Sequence, residues 1–301
     1  MAPPDTSPST RERLRIDDLS RHLLLKNGNY LYKVPFRGGF AVLKVYQGSR
    51  TWMEYALKTV GNVVVCNQTS FMPRARRLTE LSVLKLWRDA GFRVFGLYDD
   101  VSVEGIAPDL QAMFEYVPRR KLVDLLNDAT LPLEQRLSLW RGFMPIWHRR
   151  HRLALERSEP RLVHENGDLK HVMPLHEGDV DGRIQEGPGR GAVRDYLQFD
   201  FEMVFRSRRR VPEFVSREIL QFLKSLGKTV GEADFPAFMA ETVRSYPGRD
   251  LLERTHAFAF ENPDPIQRLA RAIDRRVKPR AQKTFSKYNV ARRLQAALAQ
   301  G

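Results

Sequence analysis

The chain has 301 residues, with 50 Lys and Arg against 36 Asp and Glu, a formal charge of +14. At 42% hydrophobic and 10% aromatic it can bury a core, which excludes global disorder; its single cysteine, Cys66, excludes an internal disulfide framework and a cysteine-based zinc site. The longest apolar runs, such as Leu23-Leu24-Leu25, fall short of the ~20 residues of a membrane span, and the N-terminus lacks the apolar stretch of a secretory signal. The expectation is a basic cytoplasmic protein whose partner is anionic: nucleic acid, an acidic membrane or a phosphorylated ligand.

Residues 1–18 are rich in Pro, Ser, Thr and charge and read as a disordered tail. From Asn29 the pattern turns to strands. Asn29–Phe36 and Phe40–Tyr46 are aromatic and β-branched, and Arg37-Gly38-Gly39 between them makes a hairpin. A short helix over Thr51–Thr59 and an apolar strand over Asn62–Cys66 follow. Pro73 opens a strong helix, Arg74–Ala90, closed by Gly91. Tyr98–Glu104 and Leu110–Val117 read as strands.

After Pro118 the composition changes and helices dominate. Leu122–Asn127 is short and Leu133–Leu155 is long and amphipathic. Leu162-Val163 reads as a short strand, and Glu177–Gly191 as a loop between two short strands, the second ending at Asp200. Val215–Ala299 is helical. The result is an α+β chain divided into a tail (1–18), a sheet-rich part with one long helix (19–118) and a helix-rich part (119–301).

Several chemistry-bearing residues punctuate this order. Lys44 sits mid-strand in Val42-Leu43-Lys44-Val45, opposite in face to its neighbours, after a Gly-containing hairpin. Glu80, 36 residues later, shares a helical side with Val83, Leu84 and Trp87. A carboxylate in an apolar stripe needs a cationic partner, which Lys44 would supply; a surface Glu, or Glu54 as the partner, is the alternative. Then come Phe114-Glu115-Tyr116-Val117 at a strand end, His164-Glu165-Asn166-Gly167-Asp168-Leu169-Lys170, and Phe199-Asp200-Phe201-Glu202.

This order resembles the protein-kinase-like superfamily over residues 28–205, closest in style to lipopolysaccharide and small-molecule kinases with His-Gly-Asp-Leu catalytic loops. The resemblance implies a two-lobed kinase-like fold, with a small antiparallel-sheet lobe and a larger helical lobe. It implies an ATP- and Mg²⁺-dependent phosphotransferase acting on a hydroxyl of a sugar or glycolipid. Gly38, Gly39 and Lys44 would hold the phosphates, with Glu80 pairing Lys44, and the backbone of Glu115 and Val117 the adenine edge. Asp168 would deprotonate the acceptor hydroxyl and Lys170 would face the γ-phosphate. Asp200, assisted by Glu202, would chelate the metal, and Asp124 stands where a ribose contact could form. Each has a plainer reading: a solvated strand lysine, an Asn-Gly-Asp turn, a strand-end Asp, a helix-start Asp.

The chain departs from the family pattern. Met173 stands five residues after Asp168, where the family has a metal-binding Asn, and cannot ligate Mg²⁺. His171 falls near that position in a shortened loop and can ligate a metal. His164 stands four residues before Asp168 rather than two, so either Glu165-Asn166 is inserted or Asn166 takes the His role. These departures leave a pseudokinase or scaffold of the same fold as an alternative.

Basic runs occur at 74–77, 149–152 and 206–210, and residues 261–301 carry 10 Lys or Arg against 3 acids. The stretch from Arg275 to Gln295 interleaves basics with Phe285 and Tyr288. It could bind RNA, lie on the inner face of an anionic membrane, or be a solvated helix. His148 and His151 read as packing or surface residues.

Overall fold

The computed structural model describes residues 12–180, 191–260 and 284–301. The chain divides into two compact units, Met1–Leu84 with Val94–Val117, and Lys85–Arg93 with Pro118–Gly301.

In the first unit β2 (Leu23–Asn27), β3 (Asn29–Phe36), β4 (Gly39–Val45) and β6 (Gln111–Glu115) form an antiparallel sheet in the order β2-β3-β4-β6. Alternation on β4 sends Ala41, Leu43 and Val45 into a core with Val34, Phe36 and Met113. Lys44 therefore faces the other way. β1 (Glu12–Leu14) pairs in parallel with β5 (Val101–Val103). This corrects the expected tail beyond residue 11. Leu14, Ile16 and Leu19 pack on the sheet core, and Arg37 bonds Glu12 at 3.0 Å and Asp100 at 2.7 Å. Residues 1–11 of that tail lie outside the described residues.

The helix α1 (Trp52–Val60) starts at a reciprocal cap: Thr51 N–H donates to Glu54 Oε2 at 2.7 Å and Glu54 N–H to Thr51 Oγ1 at 3.4 Å. The expected strand at Asn62–Cys66 does not form. The capped helix runs on through Gly61–Val65 as a wide turn, in which Cys66 N–H reaches Gly61 O at 3.2 Å. The helix α2 (Pro73–Asp89) ends before Gly91, whose φ of 77° only glycine adopts readily. Its last turn, Lys85–Asp89, belongs to the second unit. The strand expected over 98–104 is only three residues long, because the Gln111 side chain bonds the backbone of Val103 and Ile106.

The second unit holds α3 (Leu122–Leu126) and α4 (Leu133–Arg157), which packs on α6 (Val211–Ser245), a helix broken at Gly231 where φ is 76°. Trp140, Phe143 and Trp147 on α4 are fully buried; the Trp147 indole donates to Glu218 at 3.1 Å and Trp140 to Thr242 at 2.9 Å. Pro160–Leu162 is a single 3₁₀ turn, not the start of a strand; Glu159 caps it by accepting from Arg161 N–H at 3.1 Å. β7 (Val172–His176) and β8 (Val193–Gln198) form an antiparallel ladder. The short helix α5 (Glu177–Val180) occupies the start of the expected loop, and the loop's residues 181–190 lie outside the described residues. The chain ends in α7 (Arg249–Phe260) and α8 (Lys287–Gln300). The basic stretch from Arg275 to residue 283 also lies outside the described residues.

Candidate active site

In the first unit Lys44 Nζ donates to Glu80 Oε2 at 2.7 Å, and the Tyr46 hydroxyl donates to the same oxygen at 2.7 Å. The Lys44 and Glu80 side chains are only 9% and 6% exposed. β4 aims Lys44 away from the sheet core, and α2 brings Glu80 to it. Glu54 is not the partner; its carboxylate is engaged at the α1 cap. Arg76, on the same helix and buried, donates to the carbonyls of Tyr46 and Gly28.

Gly38 and Gly39 are not beside Lys44. The strand register sets Phe36 opposite Gly39 and Leu31 opposite Lys44. Gly39 is thus five residues, roughly 16 Å, along β4 from Lys44. Arg37 and Gly38, with φ of 45° and 75°, form a two-residue turn at the far end of the sheet. The turn at Lys44's own end is Asn27-Gly28-Asn29, where Gly28 has φ 64°. The assignment of Gly38 and Gly39 to the phosphates is corrected on this geometry.

Glu115 is already bonded twice. Its N–H donates to Gly96 O at 2.8 Å, and its Oε2 accepts from Gly96 N–H at 2.9 Å. Its N–H is therefore not available to an adenine edge. Val117 is buried just beyond the strand. Asp124 accepts from Lys121 N–H at 3.3 Å at the start of α3, which is the helix-start role.

In the second unit Asp168 caps a 3₁₀ turn, Leu169–His171. Its Oδ1 accepts from Lys170 N–H at 3.1 Å and from Ser225 Oγ at 2.9 Å. Lys170 Nζ lies 3.9 Å from Asp168 Oδ2. Ser225 comes from α6, and nothing in the local sequence marks it. Gly167 lets α6 approach: a Cβ there would stand 2.8 Å from the Phe222 ring and 3.0 Å from Glu218 Cγ.

The β7–β8 ladder pairs Val172 with Gln198, and Phe199 N–H extends it to His171 O at 3.2 Å. This brings His171 to Asp200, with His171 Nε2 3.1 Å from Asp200 Oδ2. Asp200 lies two residues beyond the strand rather than at its end, and its φ of 74° is a left-handed conformation costly to a non-glycine residue. His171 Nδ1 is 3.1 Å from Asn166 O. A carbonyl only accepts, so Nδ1 carries the proton. Burial lowers the His171 pKa, and Asp200 opposes that shift.

His164 is buried, stacks on His171 at 5.5 Å and donates from Nε2 to Phe199 O at 2.8 Å. It thereby fixes the residue before Asp200, and burial lowers its pKa to about 4. Behind it Arg150 bonds Glu218, and Glu218 Oε2 accepts from His164 N–H at 2.7 Å. Burial would raise the Glu218 carboxyl, but Arg150 and His151 outweigh it and hold the group below the usual carboxylate range. Met173 is a buried strand residue paired with Leu197. Glu202 is buried as well.

The runs at 74–77 and 149–152 include structural residues, whereas Arg206, Arg208 and Arg209 are exposed. Arg77 donates to Gln111 O at 2.6 Å, Arg149 to Gly91 O at 2.8 Å, and Arg150 is fully buried. His151 is buried against the Tyr246 hydroxyl at 2.7 Å.

No protein-family model matches the sequence, and no curated protein matches it. Among solved structures the chain is similar to WaaP in complex with acyl carrier protein, at 12% identity and TM-score 0.36, covering 78% of this chain and 87% of that one. It is also similar to the Rio2 kinase-ADP/Mg²⁺-phosphoaspartate complex from Chaetomium thermophilum, at 13% identity and TM-score 0.41, covering 92% and 69%.

Proposed function

We propose that the protein is an ATP- and divalent-metal-dependent phosphotransferase whose acceptor is a hydroxyl of a sugar or glycolipid. The observation that carries this reading is the buried Lys44–Glu80 pair. A buried ammonium paired with a buried carboxylate is fixed in place, and phosphoryl transfer needs a cation so fixed at the nucleotide phosphates. The Gly28 turn, at the same end of the sheet, is the backbone that would lie along those phosphates.

The donor set in the second unit fits a metal ion. His171 Nε2 faces a carboxylate oxygen of Asp200; in the neutral ring with its proton on Nδ1, that nitrogen would offer a lone pair to a cation that Asp200 also holds. The two atoms stand 3.1 Å apart, close enough that both would hold one divalent ion. Among the described residues no cluster of three His, Cys, Asp or Glu forms a metal cage, so phosphate oxygens and water would fill the other positions. The ion would supply charge neutralisation, and an imidazole ligand admits Mn²⁺ as well as Mg²⁺.

Asp168 is held by Ser225 and Lys170 N–H through Oδ1, leaving Oδ2 to accept the proton of the acceptor hydroxyl. Lys170, half exposed beside it, would stabilise charge on the transferred group. The test is transfer of labelled γ-phosphate from ATP to sugar and glycolipid acceptors. Transfer that Asp168→Asn removes supports the reading; transfer that survives Asp168→Asn and Asp200→Ala together overturns it.

A further inference from the structure

The helix α1 faces the wrong way for a globular protein. Met53, Leu57 and Val60 follow one another at intervals of four and three residues, the spacing of one helical face, and Val64 follows in the wide turn that continues α1. They are 67%, 69%, 60% and 75% exposed. Tyr55, on the opposite side, is the buried residue of the helix. Trp52, at the start of the stripe, is 74% exposed, whereas Trp87, Trp140 and Trp147 are fully buried.

Cations cluster beside the helix, around the Phe71 ring that packs on Tyr55, with Arg76 itself buried. Arg50, Lys58 and Arg76 all approach the Phe71 ring, at 5.2, 4.7 and 4.7 Å from its centroid. The acid on the same helix, Glu54, is engaged at the cap. Burial lowers the Lys58 pKa, and Arg50 and Arg76 add to that effect beyond what Glu54 restores. A nearby anion would be favoured here.

We infer that α1 is a membrane-surface helix: its apolar stripe enters the headgroup region of an anionic bilayer, with Trp52 at the interface and Arg50 and Lys58 against lipid phosphates. An outward apolar stripe, an exposed tryptophan and flanking cations form the pattern of an interfacial helix. No helix among the described residues is long and apolar enough to cross a membrane, so the contact is with the surface. Charge complementarity selects an anionic bilayer, and the chain's formal +14 acts in the same direction.

Trp52 supplies the readout, because it is the exposed tryptophan. The full chain is titrated with vesicles of phosphatidylcholine alone or with roughly one-third phosphatidylserine. The expected result is a blue shift of tryptophan emission and co-sedimentation with the anionic vesicles. Leu57→Glu weakens partitioning by at least about tenfold, and Arg50→Glu with Lys58→Glu removes the preference for anionic lipid. Leu57 lies at the surface, so the circular dichroism and unfolding midpoint of Leu57→Glu stay near wild type; Arg50 is half-buried, so the charge variant is read only where its unfolding midpoint matches wild type. No shift with either vesicle overturns the inference. So does equal partitioning of wild type and Leu57→Glu, or a lipid-free, concentration-dependent shift from self-association.

Discussion

Lys44 Nζ meets Glu80 Oε2 at 2.7 Å, with both side chains buried and Tyr46 donating to the same oxygen. The pair joins a sheet face to a helix, and breaking it removes a buried charge–charge contact and its hydrogen bonds. Glu80→Gln should therefore cost about 3–5 kcal/mol in denaturant unfolding. Lys44→Met combined with Glu80→Leu should recover most of that loss while removing nucleotide binding. A double variant as unstable as the single one would show that the pair is not the source of the effect.

Stability should fall as the pH drops below 6.5. His151 and His164 are buried, and burial lowers each pKa to about 4. Above pH 6.5 both are neutral whether the chain is folded or not, so neither contributes a pH dependence. Between 6.5 and about 4 the unfolded chain binds protons that the folded chain refuses, at about 1.4 kcal/mol per pH unit for each fully titrating histidine. The low pKa of Glu218 acts in the same direction, but only below the ordinary carboxylate value near 4.5. Denaturant midpoints at pH 7 and pH 5 measure the histidine part, and His164→Gln should flatten the slope.

Asp200 holds a left-handed backbone that an L-residue pays about 1–2 kcal/mol to adopt. Asp200→Gly should raise the unfolding midpoint while abolishing metal-dependent nucleotide binding. A drop in stability would mean that the contact with His171 outweighs the strain.

Gly167→Ala should destabilise by about 1–3 kcal/mol, because its Cβ would meet the Phe222 ring at 2.8 Å. Phe222→Leu in the same chain should recover part of that loss. An unchanged midpoint for Gly167→Ala would show that α6 shifts freely.

The sequence makes Lys44 and Glu80 legible because strand alternation and helical spacing are local properties. It hides the turn that accompanies them. Leu23–Asn27 is an edge strand with exposed leucines, so it lacks the alternation that announces a strand, and the Gly28 turn at Lys44's end of the sheet goes unread. The valines after Asn62 have strand propensity, but the Thr51–Glu54 cap starts a helix that runs through them. In the second unit Asp168 and Asp200 stand out by their motifs. The residues that orient them do so through tertiary contacts: Ser225 arrives from α6, 57 positions along the chain from Asp168. His164 acts on the Phe199 carbonyl, 35 positions away. No local pattern records such distances.

The most direct test of the account is the thermal midpoint of the full chain with ATP, with Mg²⁺ or Mn²⁺, and with both together. A nucleotide at a hundred times its dissociation constant stabilises by about 2.7 kcal/mol, which is several degrees in a protein of this size. The account predicts a clear rise only when ATP and metal are both present, lost in Lys44→Met and in Asp200→Ala. No rise at saturating ATP and metal, or an equal rise in those two variants, would contradict it.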